Sequence, residues 1–527
     1  MTSLKVWQDE IVRWRRAQTR IIAALTFCLL GAGIWHAAVT DSDSDSARAA
    51  AAPSTDPDPS NLYASVDSGP TGPARPAGFL GLSFEYSALE AYTGADPTAP
   101  DPVFVQLLRN LAPGPGQPVI LRIGGNSTDT TWWPVKGISR PRGVRYALTP
   151  TWLASVRALS TAVPARLIMG VNLAAGRPRV AAAEADAFLS GIGPSYVTAY
   201  EVGNEPDVYG VFPWYTSHRI HVFARSPGYN LPAFIGELTR WQATLPDLPL
   251  AGPALAELPW LSGIPTLLAA DPRLRVVTIH RYALQGCLNN PGSPSYPSIA
   301  NLLSDRSSTG LTDAIAPFVA AAHAAGAQFR VDELNSAALA GCLGRAGVSN
   351  TFASALWMLD TLFNLASIGV DGVNVHSLPG AGYELFTFRQ SATGWQAFVH
   401  PDYYGMLMFA QAFPAGARLL PVREPAGPVK VWATLGPDGH TRVTLINKDS
   451  RPHRIELQLP PSSAAAKLVW LRAPSADATG GVTLGGQSFG AETSTGALGA
   501  PQAQPVDQLF GSYAIELPPA SAAVLTR

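Results

Sequence analysis

Residues 196–206 read Tyr-Val-Thr-Ala-Tyr-Glu-Val-Gly-Asn-Glu-Pro, a run of β-branched and aromatic residues that ends in a glycine, two polar side chains and a proline. Such a run is typical of a buried strand, and the proline marks its end. Similar runs lie on both sides of it along the chain. Together the predicted strands are Phe79–Glu85, Val119–Gly125, Arg166–Leu173, Tyr196–Glu205, Pro249–Ala256, Val276–Tyr282, Gln328–Glu333 and Gly372–Ser377.

Helix-like segments alternate with these eight strands, which indicates βα units that form a parallel sheet. The segments lie near residues 101–111, 151–163, 180–191, 231–245, 260–270, 311–325, 349–368 and 402–413. Eight regular units are typical of a TIM barrel with insertions, whereas an open doubly wound sheet rarely needs so many. We therefore predict an α/β fold with a (β/α)8 barrel over residues 78–413.

After Pro414 the pattern changes to β runs without helices, punctuated by proline and glycine. This pattern predicts an appended all-β sandwich over residues 414–527, with a Gly/Ala-rich loop at 474–505. Residues 61–77 are predicted to add one strand to the sandwich. The predicted sandwich strands are Val429–Leu435, Arg442–Asn447, Arg454–Leu459, Lys467–Leu471 and Tyr513–Leu517.

The N-terminus has the order of an export signal: a basic segment, 1–20, precedes an apolar run, 21–39. The length of the run favours a membrane anchor with residues 1–20 in the cytoplasm. A cleaved signal peptide is the alternative, with Ala47-Arg48-Ala49 as its cleavage site. Residues 40–60, rich in Ser, Asp, Ala and Pro, are predicted to be a disordered linker. Both readings predict an exported protein that is anchored or secreted, with the membrane as a partner if the segment is uncleaved.

The composition excludes some partners. The chain has 37 Lys and Arg against 38 Asp and Glu, so no global field attracts nucleic acid. Its hydrophobic content of 47 % allows a large core. The 13 Trp and 15 Tyr include flat aromatic faces that suit sugar rings, although most such residues pack in cores.

Two cysteines remain in the exported part, Cys287 and Cys342, in the loops after the sixth and seventh predicted strands. These loops are neighbours on one face of a barrel, and the compartment is oxidising. We predict a disulfide between the two; two buried free thiols are the alternative.

In a TIM barrel the catalytic groups stand at the carboxyl ends of the strands. Glu205 ends the fourth strand and Glu333 the seventh, across the barrel mouth from each other. Retaining glycoside hydrolysis needs two carboxyl groups ~5–5.5 Å apart, one as nucleophile and one as acid/base. Asp332 is predicted to point to the opposite face of its strand, because side chains alternate.

A structural reading of Asn204-Glu205-Pro206 is also available. Asn204 can cap a helix, and Glu205 then lies near the positive end of the helix dipole. The partner glutamate at the seventh strand favours the catalytic reading.

Several segments carry a resemblance to a known family. Clan A of the glycoside hydrolases has its acid/base in Asn-Glu at strand four and its nucleophile at strand seven, and within it the chain resembles glycoside hydrolase family 79, the heparanase and β-glucuronidase family. The resemblance spans about residues 79–527. Its segments are Leu121–Asp129, Gly170–Leu173, His280–Tyr282, Tyr403–Met406 and Leu445–Asp449.

The resemblance implies roles for particular residues. Asn204 is expected to bind the sugar 2-hydroxyl, and Arg122 and Tyr282 to hold Glu333 in its charged form. The alternative for Arg122 is a salt bridge inside the barrel. The loop 378–384 is expected to grip a uronate carboxylate through its main-chain amides and Tyr383, with Gly382 allowing close approach. A plain glycine-rich turn is the alternative.

Other site residues stay open. His280 is either a substrate contact or an interior histidine, and Trp132 either walls a sugar subsite with Trp133 or packs. Glu85 is a candidate for binding a sugar hydroxyl, and Asp129 is expected to orient its loop. No Cys/His cluster has metal-ligand spacing and no Gly-rich phosphate loop follows a strand, so we expect no metal and no cofactor.

The sequence thus predicts a retaining glycoside hydrolase that cleaves β-linked glucuronic acid, with Glu205 as acid/base, Glu333 as nucleophile and a carbohydrate as partner. One alternative is another clan A activity, such as an arabinofuranosidase, xylosidase or glucanase. A second is a non-catalytic, anchored carbohydrate-binding protein on the same fold.

Overall fold

The structure is a computed structural model that describes residues 61–114, 117–339, 341–423, 427–462 and 464–527. The predicted basic segment 1–20, apolar segment 21–39 and linker 40–60 lie outside these residues. Within the described ranges, the structure contains no helix that is both long and apolar enough to span a bilayer.

Eight parallel strands close into a barrel. Their order is β6-β5-β4-β3-β2-β1-β8-β7, and β6 also pairs with β7, which closes the ring. The predicted (β/α)8 fold is confirmed. The strands are β1 (Leu80–Glu85), β2 (Val119–Gly124), β3 (Ala165–Val171), β4 (Val197–Val202), β5 (Leu250–Leu255), β6 (Leu274–Leu284), β7 (Gln328–Leu339) and β8 (Gly372–Ser377).

A helix follows each strand and covers the outside of the barrel. Proline in the first turn starts many of them, and polar caps such as Asp101 and Thr149 accept the first free amides. The main helices are α1 (Pro102–Leu111), α2 (Pro150–Ala162), α3 (Pro178–Ala187), α4 (Leu231–Gln242), α5 (Ile264–Ala270), α6 (Ala316–Ala324), α7 (Phe352–Ser367) and α8 (Pro401–Ala412). Because helices cover one face of each strand and the barrel interior the other, β1 and β8 are buried along their whole length.

Two antiparallel hairpins interrupt this pattern, and the sequence did not predict them. Pro213–Ser217 pairs with Ile220–Phe223 after β4, and Phe386–Ser391 pairs with Gly394–Val399 after β8. Both lie in connections that follow the carboxyl ends of strands.

Strand Asn61–Val66 and the strands after residue 417 form two sheets packed face to face around a core of their own. The first sheet has the order Val422–Arg423, Asn61–Val66, His453–Gln458, Ser512–Leu517. The second has the order Arg418–Leu420, Val429–Leu435, Thr441–Asn447, Ser521–Thr526, Ala466–Arg472, Thr483–Leu484, and Gln504–Val506 pairs with Ala466–Arg472.

The second sheet packs on the barrel. Phe489 and Val524 belong to the same hydrophobic cluster as the barrel helices, and the Phe489 amide donates to the Tyr404 hydroxyl at 2.9 Å. A buried ion pair adds to this contact: the Lys448 ammonium group lies 2.8 Å from a carboxylate oxygen of Asp360 on α7. The barrel-facing side of the second sheet therefore joins the core of the barrel, while the two sheets keep a second core between them.

Cys287 and Cys342 form a disulfide, with their Cα atoms 5.4 Å apart. Cys287 follows β6, and Cys342 lies in a short strand that pairs with the end of β7. The bridge therefore joins two neighbouring connections at the carboxyl end of the barrel.

The buried ion pair makes a prediction about stability. Lys448→Met leaves the Asp360 carboxylate buried without its cation, which costs about 3–5 kcal/mol of unfolding free energy. Arg454→Met is the matched control, because its partner Glu516 is exposed and such pairs contribute ~0–1 kcal/mol. Urea unfolding followed by circular dichroism measures both, and an equal loss in the two variants would contradict the prediction.

Candidate active site

Polar side chains converge at the carboxyl end of the barrel. Arg122 of β2 lies at the centre of this group. Its guanidinium is fully buried. It donates to Glu201 at 2.8 Å, to Asn204 at 2.9 Å and to Glu333 at 2.7 Å. Arg122 therefore fixes side chains from β4, from the turn after β4 and from β7 in one arrangement.

Glu333 is held in its charged form. Its second oxygen accepts a hydrogen bond from the Tyr282 hydroxyl. Burial acts to raise the pKa of Glu333, but the neighbouring His376, His280 and Arg122 and the Tyr282 hydrogen bond outweigh it and hold the pKa well below its usual range. An ionised carboxylate in this position can act as a nucleophile.

Glu205 lies opposite, just beyond the end of β4. Its backbone is left-handed, with φ 53°, and its amide donates to Ala254 at 2.9 Å. This turn carries the side chain over the mouth, where it is 26 % exposed and can exchange a proton with water. Nδ1 of His280 lies 2.9 Å from one of its oxygens.

The separation of the two carboxylates follows from that histidine. The same Nδ1 atom lies 2.9 Å from a Glu205 oxygen and 3.8 Å from a Glu333 oxygen. These two oxygens are therefore at most about 7 Å apart, which fits the ~5–5.5 Å of retaining enzymes better than the ~6.5–9.5 Å of inverting ones.

His280 bridges the two glutamates rather than packing as a bland interior side chain. Burial acts to lower the pKa of His280, but the charge of Glu333 and the hydrogen bond with Glu205 act against it and raise the pKa above its usual value. The ring is almost completely buried. The His280 ring can therefore hold the Glu205 side chain in position from the barrel interior.

Asp129 positions the turn that carries the acid/base candidate. One of its oxygens accepts from the amides of Leu173 and Ala174, each at 3.0 Å, and the other from the Asn204 amide at 3.2 Å and the Tyr209 hydroxyl. This carboxylate ties the ends of β3 and β4 together beside the mouth.

Glu85 lies at the rim, at the end of β1. It accepts from the amides of Asn126 at 3.0 Å and Ser127 at 2.6 Å. Burial raises the pKa of Glu85 to about 7, and the charge of Glu333 adds to this while the Ser127 hydrogen bonds oppose it. Glu85 is therefore near its titration midpoint at neutral pH.

The loop after β8 differs from what the resemblance implied. The amides expected to grip an anion are already used: Gly380 donates to Glu384 at 2.9 Å, Ala381 to Leu378 at 3.0 Å and Gly382 to Leu343 at 2.7 Å. A Cβ on Gly382 would lie 3.0 Å from backbone atoms of Gly344 and Arg345. The Gly382 amide is therefore engaged within the fold, and this glycine lets two neighbouring loops pack closely; its contact with substrate stays a prediction.

Tyr383 of the same loop is different. Its side chain is fully buried, and its hydroxyl makes no hydrogen bond of good geometry to the residues that the structure describes, although the Tyr282 hydroxyl is close enough to interact with it. Its ring centroid lies 5.9 Å from that of Tyr282, the residue that binds Glu333. A buried phenol beside Glu333 can therefore turn to a ligand.

Trp132 lies in a small cluster with Val144 and Val180 and is only 7 % exposed. Trp133 is partly buried against the main core. Packing accounts for Trp132, and we do not assign it to a sugar subsite.

Asp332 departs from the prediction that it points away from the site. The register jumps on both sides of β7: Ile279 and His280 pair with Val331 and Glu333, and a shift also separates Val331 from Leu334 against β8. This β-bulge inserts one residue and breaks the alternation. Asp332 and Glu333 consequently both face the barrel interior, where Asp332 lies 3.6 Å from Arg122.

Sequence reasoning also missed Glu201 and His376. Glu201 lies in the quoted motif, four residues before Glu205, but a carboxylate inside a strand gives no signal until the partner Arg122 is known. His376 of β8 contacts the Ser83 hydroxyl at 3.0 Å, and burial lowers its pKa to about 4. Across the described ranges, no group of three metal-binding side chains is found.

Comparisons with known proteins agree with this geometry. Residues 431–524 match the family model of the glycosyl hydrolase family 79 C-terminal beta domain. A beta-glucuronidase of Neurospora crassa is 26 % identical over 402 residues, which cover 69 % of this chain and 68 % of that protein. The predicted resemblance to family 79 and the predicted enzyme class, a glycoside hydrolase, are confirmed.

Solved structures share the fold. A 4-O-alpha-L-rhamnosyl-beta-D-glucuronidase from Fusarium oxysporum 12S has a TM-score of 0.70 and 20 % identity, and the match covers 88 % of this chain and 100 % of that one. A GH51 arabinofuranosidase from Xanthomonas axonopodis pv. citri has a TM-score of 0.61 and 15 % identity, with 88 % and 99 % covered. At these identities the two structures support the fold.

The contact between Tyr282 and Glu333 makes a prediction about pH dependence. The phenol hydrogen bond stabilises the carboxylate, so Tyr282→Phe raises the pKa of Glu333. The acid limb of kcat/KM on an activated aryl glycoside should move to higher pH, and the maximum should fall about ten- to a hundredfold. Tyr196→Phe, which removes a phenol from the surface, is the control and should leave the profile unchanged. An acid limb that stays in place in Tyr282→Phe would contradict this role.

Proposed function

We propose that this protein is a retaining β-glucuronidase, with Glu333 as nucleophile and Glu205 as acid/base. The observation that carries the mechanism is the approach of both carboxylates to one atom, Nδ1 of His280, at 2.9 and 3.8 Å. This places two carboxyl groups in reach of one glycosidic bond.

In the first step a Glu333 oxygen attacks the anomeric carbon, and the bond from that carbon to the leaving oxygen breaks. Glu205 gives its proton to the leaving oxygen, so the aglycone departs as an alcohol. In the second step Glu205 takes a proton from water, whose oxygen attacks the same carbon and breaks the ester to Glu333. Each step inverts the configuration at the anomeric carbon, so the product has the anomeric configuration of the substrate.

The neighbouring groups support these roles. Arg122 and Tyr282 stabilise the charge on Glu333 before attack. Arg122 holds the side-chain oxygen of Asn204, and the side-chain nitrogen makes only a long hydrogen bond, 3.3 Å, to Asn126, so we place the sugar 2-hydroxyl beside this nitrogen. His280 keeps Glu205 over the anomeric position.

The glycone is proposed from Tyr383 and from the relatives. A phenol donates one hydrogen bond and suits a carboxylate oxygen, and a buried donor without a partner is costly until a ligand fills it. The Neurospora relative is named a beta-glucuronidase and the Fusarium structure a glucuronidase. We accordingly place the uronate carboxyl group of the sugar beside Tyr383.

An extracytoplasmic location is part of the proposal. A disulfide such as Cys287–Cys342 persists in oxidising compartments, and the predicted export segment 21–39 is consistent with one. The substrate partner is a carbohydrate that contains uronic acid.

The two glutamates can be distinguished by chemical rescue. Glu333→Ala should lose turnover and, with azide and an activated aryl β-glucuronide, give the α-glycosyl azide, because azide attacks from the vacated face. Glu205→Ala should slow poor leaving groups far more than activated ones, and azide should there give the β-azide. Glu516→Ala, which removes an exposed glutamate paired with Arg454 in the sandwich, is the control. Normal turnover in Glu333→Ala would end the assignment.

The glycone prediction is tested by comparing kcat/KM on aryl β-glucuronide and aryl β-glucoside. A lost hydrogen bond to a buried donor costs ~1–3 kcal/mol, so the glucuronide should be preferred at least tenfold. Tyr383→Phe should reduce that preference mainly by slowing the glucuronide. Tyr403→Phe is the matched control, because its buried phenol donates to Leu107 far from the mouth.

Equal rates on the two glycosides would refute the glucuronidase assignment and leave the two-glutamate mechanism standing. Turnover of an aryl arabinofuranoside or xyloside, without turnover of the glucuronide, would indicate another clan A activity instead.

A further inference from the structure

Asp332 is a buried carboxyl group that the proposed reaction does not use. The bulge in β7 turns it into the barrel interior directly beneath the catalytic glutamates. Its side chain is completely buried, neither of its oxygens accepts a hydrogen bond from an N–H or O–H group in the described part of the chain, and its carboxyl group lies close enough to that of Glu201 for the two to share a proton.

The cationic side chains near Asp332 do not donate hydrogen bonds to its carboxyl group. Arg122 Nε lies 3.6 Å away and His280 Nε2 3.8 Å away, both beyond hydrogen-bond distance. The donors of Arg122 are directed instead at Glu201 and Glu333. A buried carboxylate without donors is strongly unfavourable, so such a group takes up a proton.

The other two buried carboxylates are satisfied as anions. Glu201 accepts from Arg122 at 2.8 Å and from the Thr278 hydroxyl at 2.9 Å. Glu333 accepts from Arg122 and Tyr282. Of the three carboxyl groups around one guanidinium, Asp332 alone lacks donors within the described structure.

We propose that Asp332 is a positioning residue that stands as an uncharged carboxylic acid beneath the active site, and that its neutrality keeps Arg122 available to Glu201 and Glu333. Burial and the negative charge of Glu201 raise the pKa of Asp332 well above its usual range, against the opposing Arg122 and His280. Arg330, two residues earlier on β7, is the remaining charged group close enough to interact with it.

An ionised Asp332 would have a different consequence. A third negative charge would compete for Arg122 and would raise the pKa of Glu333 through repulsion. The charge state of Asp332 therefore sets where the pH profile of the enzyme lies, without any contact with substrate. This consequence rests on the proposed function, whereas the protonation of Asp332 does not.

The pH profile of Asp332→Asn tests the proposal. Asparagine copies the shape and neutrality of the protonated acid, so kcat/KM on aryl β-glucuronide should stay within about threefold and both limbs should stay in place. Glu201→Gln is the matched control, because it removes a charge from the same cluster and should move both limbs to lower pH. A similar downward movement in Asp332→Asn would show that Asp332 is ionised and would overturn the proposal.

An infrared measurement tests the protonation without any turnover. The spectrum of the unliganded protein at pH 7 minus that of Asp332→Asn should contain the carbonyl-stretch band of a protonated carboxyl group. A carboxylate band in its place would overturn the proposal even if the protein proves to cleave another sugar.

Asp332→Leu covers the case in which the asparagine variant does not fold. A neutral acid can be replaced by an apolar side chain of the same branching, whereas removal of one member of a buried ion pair is strongly destabilising, so this variant should fold, and the spectrum of the unchanged protein minus that of the variant should contain the same band. Failure of both variants to fold would contradict the proposal, because neutral side chains would then be unable to replace Asp332.

Discussion

The hydrogen bonds of Arg122 determine the rest of the site. A buried guanidinium must find an acceptor for each direction in which it donates, and here those acceptors come from Glu201, Asn204 and Glu333. Three segments of chain far apart in sequence are thereby held in register at one end of the barrel. A distortion of any of these strands would leave a buried charge unpaired, so the geometry of the candidate active site is stabilised by electrostatics as well as by packing.

The sequence predicted the barrel well because the relevant signals are local. Each strand is a short apolar run between turn residues, and its end marks the position at which a side chain can enter the site. This rule alone singled out Glu205 and Glu333 as candidates. The fold brings them to one mouth, since strands four and seven lie three places apart around any closed barrel of eight.

Other features could not be predicted because they depend on contacts between distant residues. The bulge that brings Asp332 inward shows only in the pairing of β7 with both neighbours, so strict alternation failed there. The sequence pattern could not show that the Gly382 amide donates a hydrogen bond to the Leu343 carbonyl in the folded protein. Trp132 packs in an apolar cluster, and composition alone could not distinguish such a packed tryptophan from one that stacks on a sugar.

The pairing of the first described strand has a consequence for biosynthesis. Asn61–Val66 pairs in parallel with His453–Gln458. The first strand leaves the ribosome roughly 390 residues before its partner strand and cannot pair with it until then. At about 5–20 residues per second, the ribosome needs on the order of 20–80 s to supply that partner. Throughout this interval an unpaired strand edge is available to other chains. Passage of the chain through a membrane channel before folding, or a chaperone on that edge, would shorten the exposure, and the sandwich can close only when almost the entire polypeptide has been made.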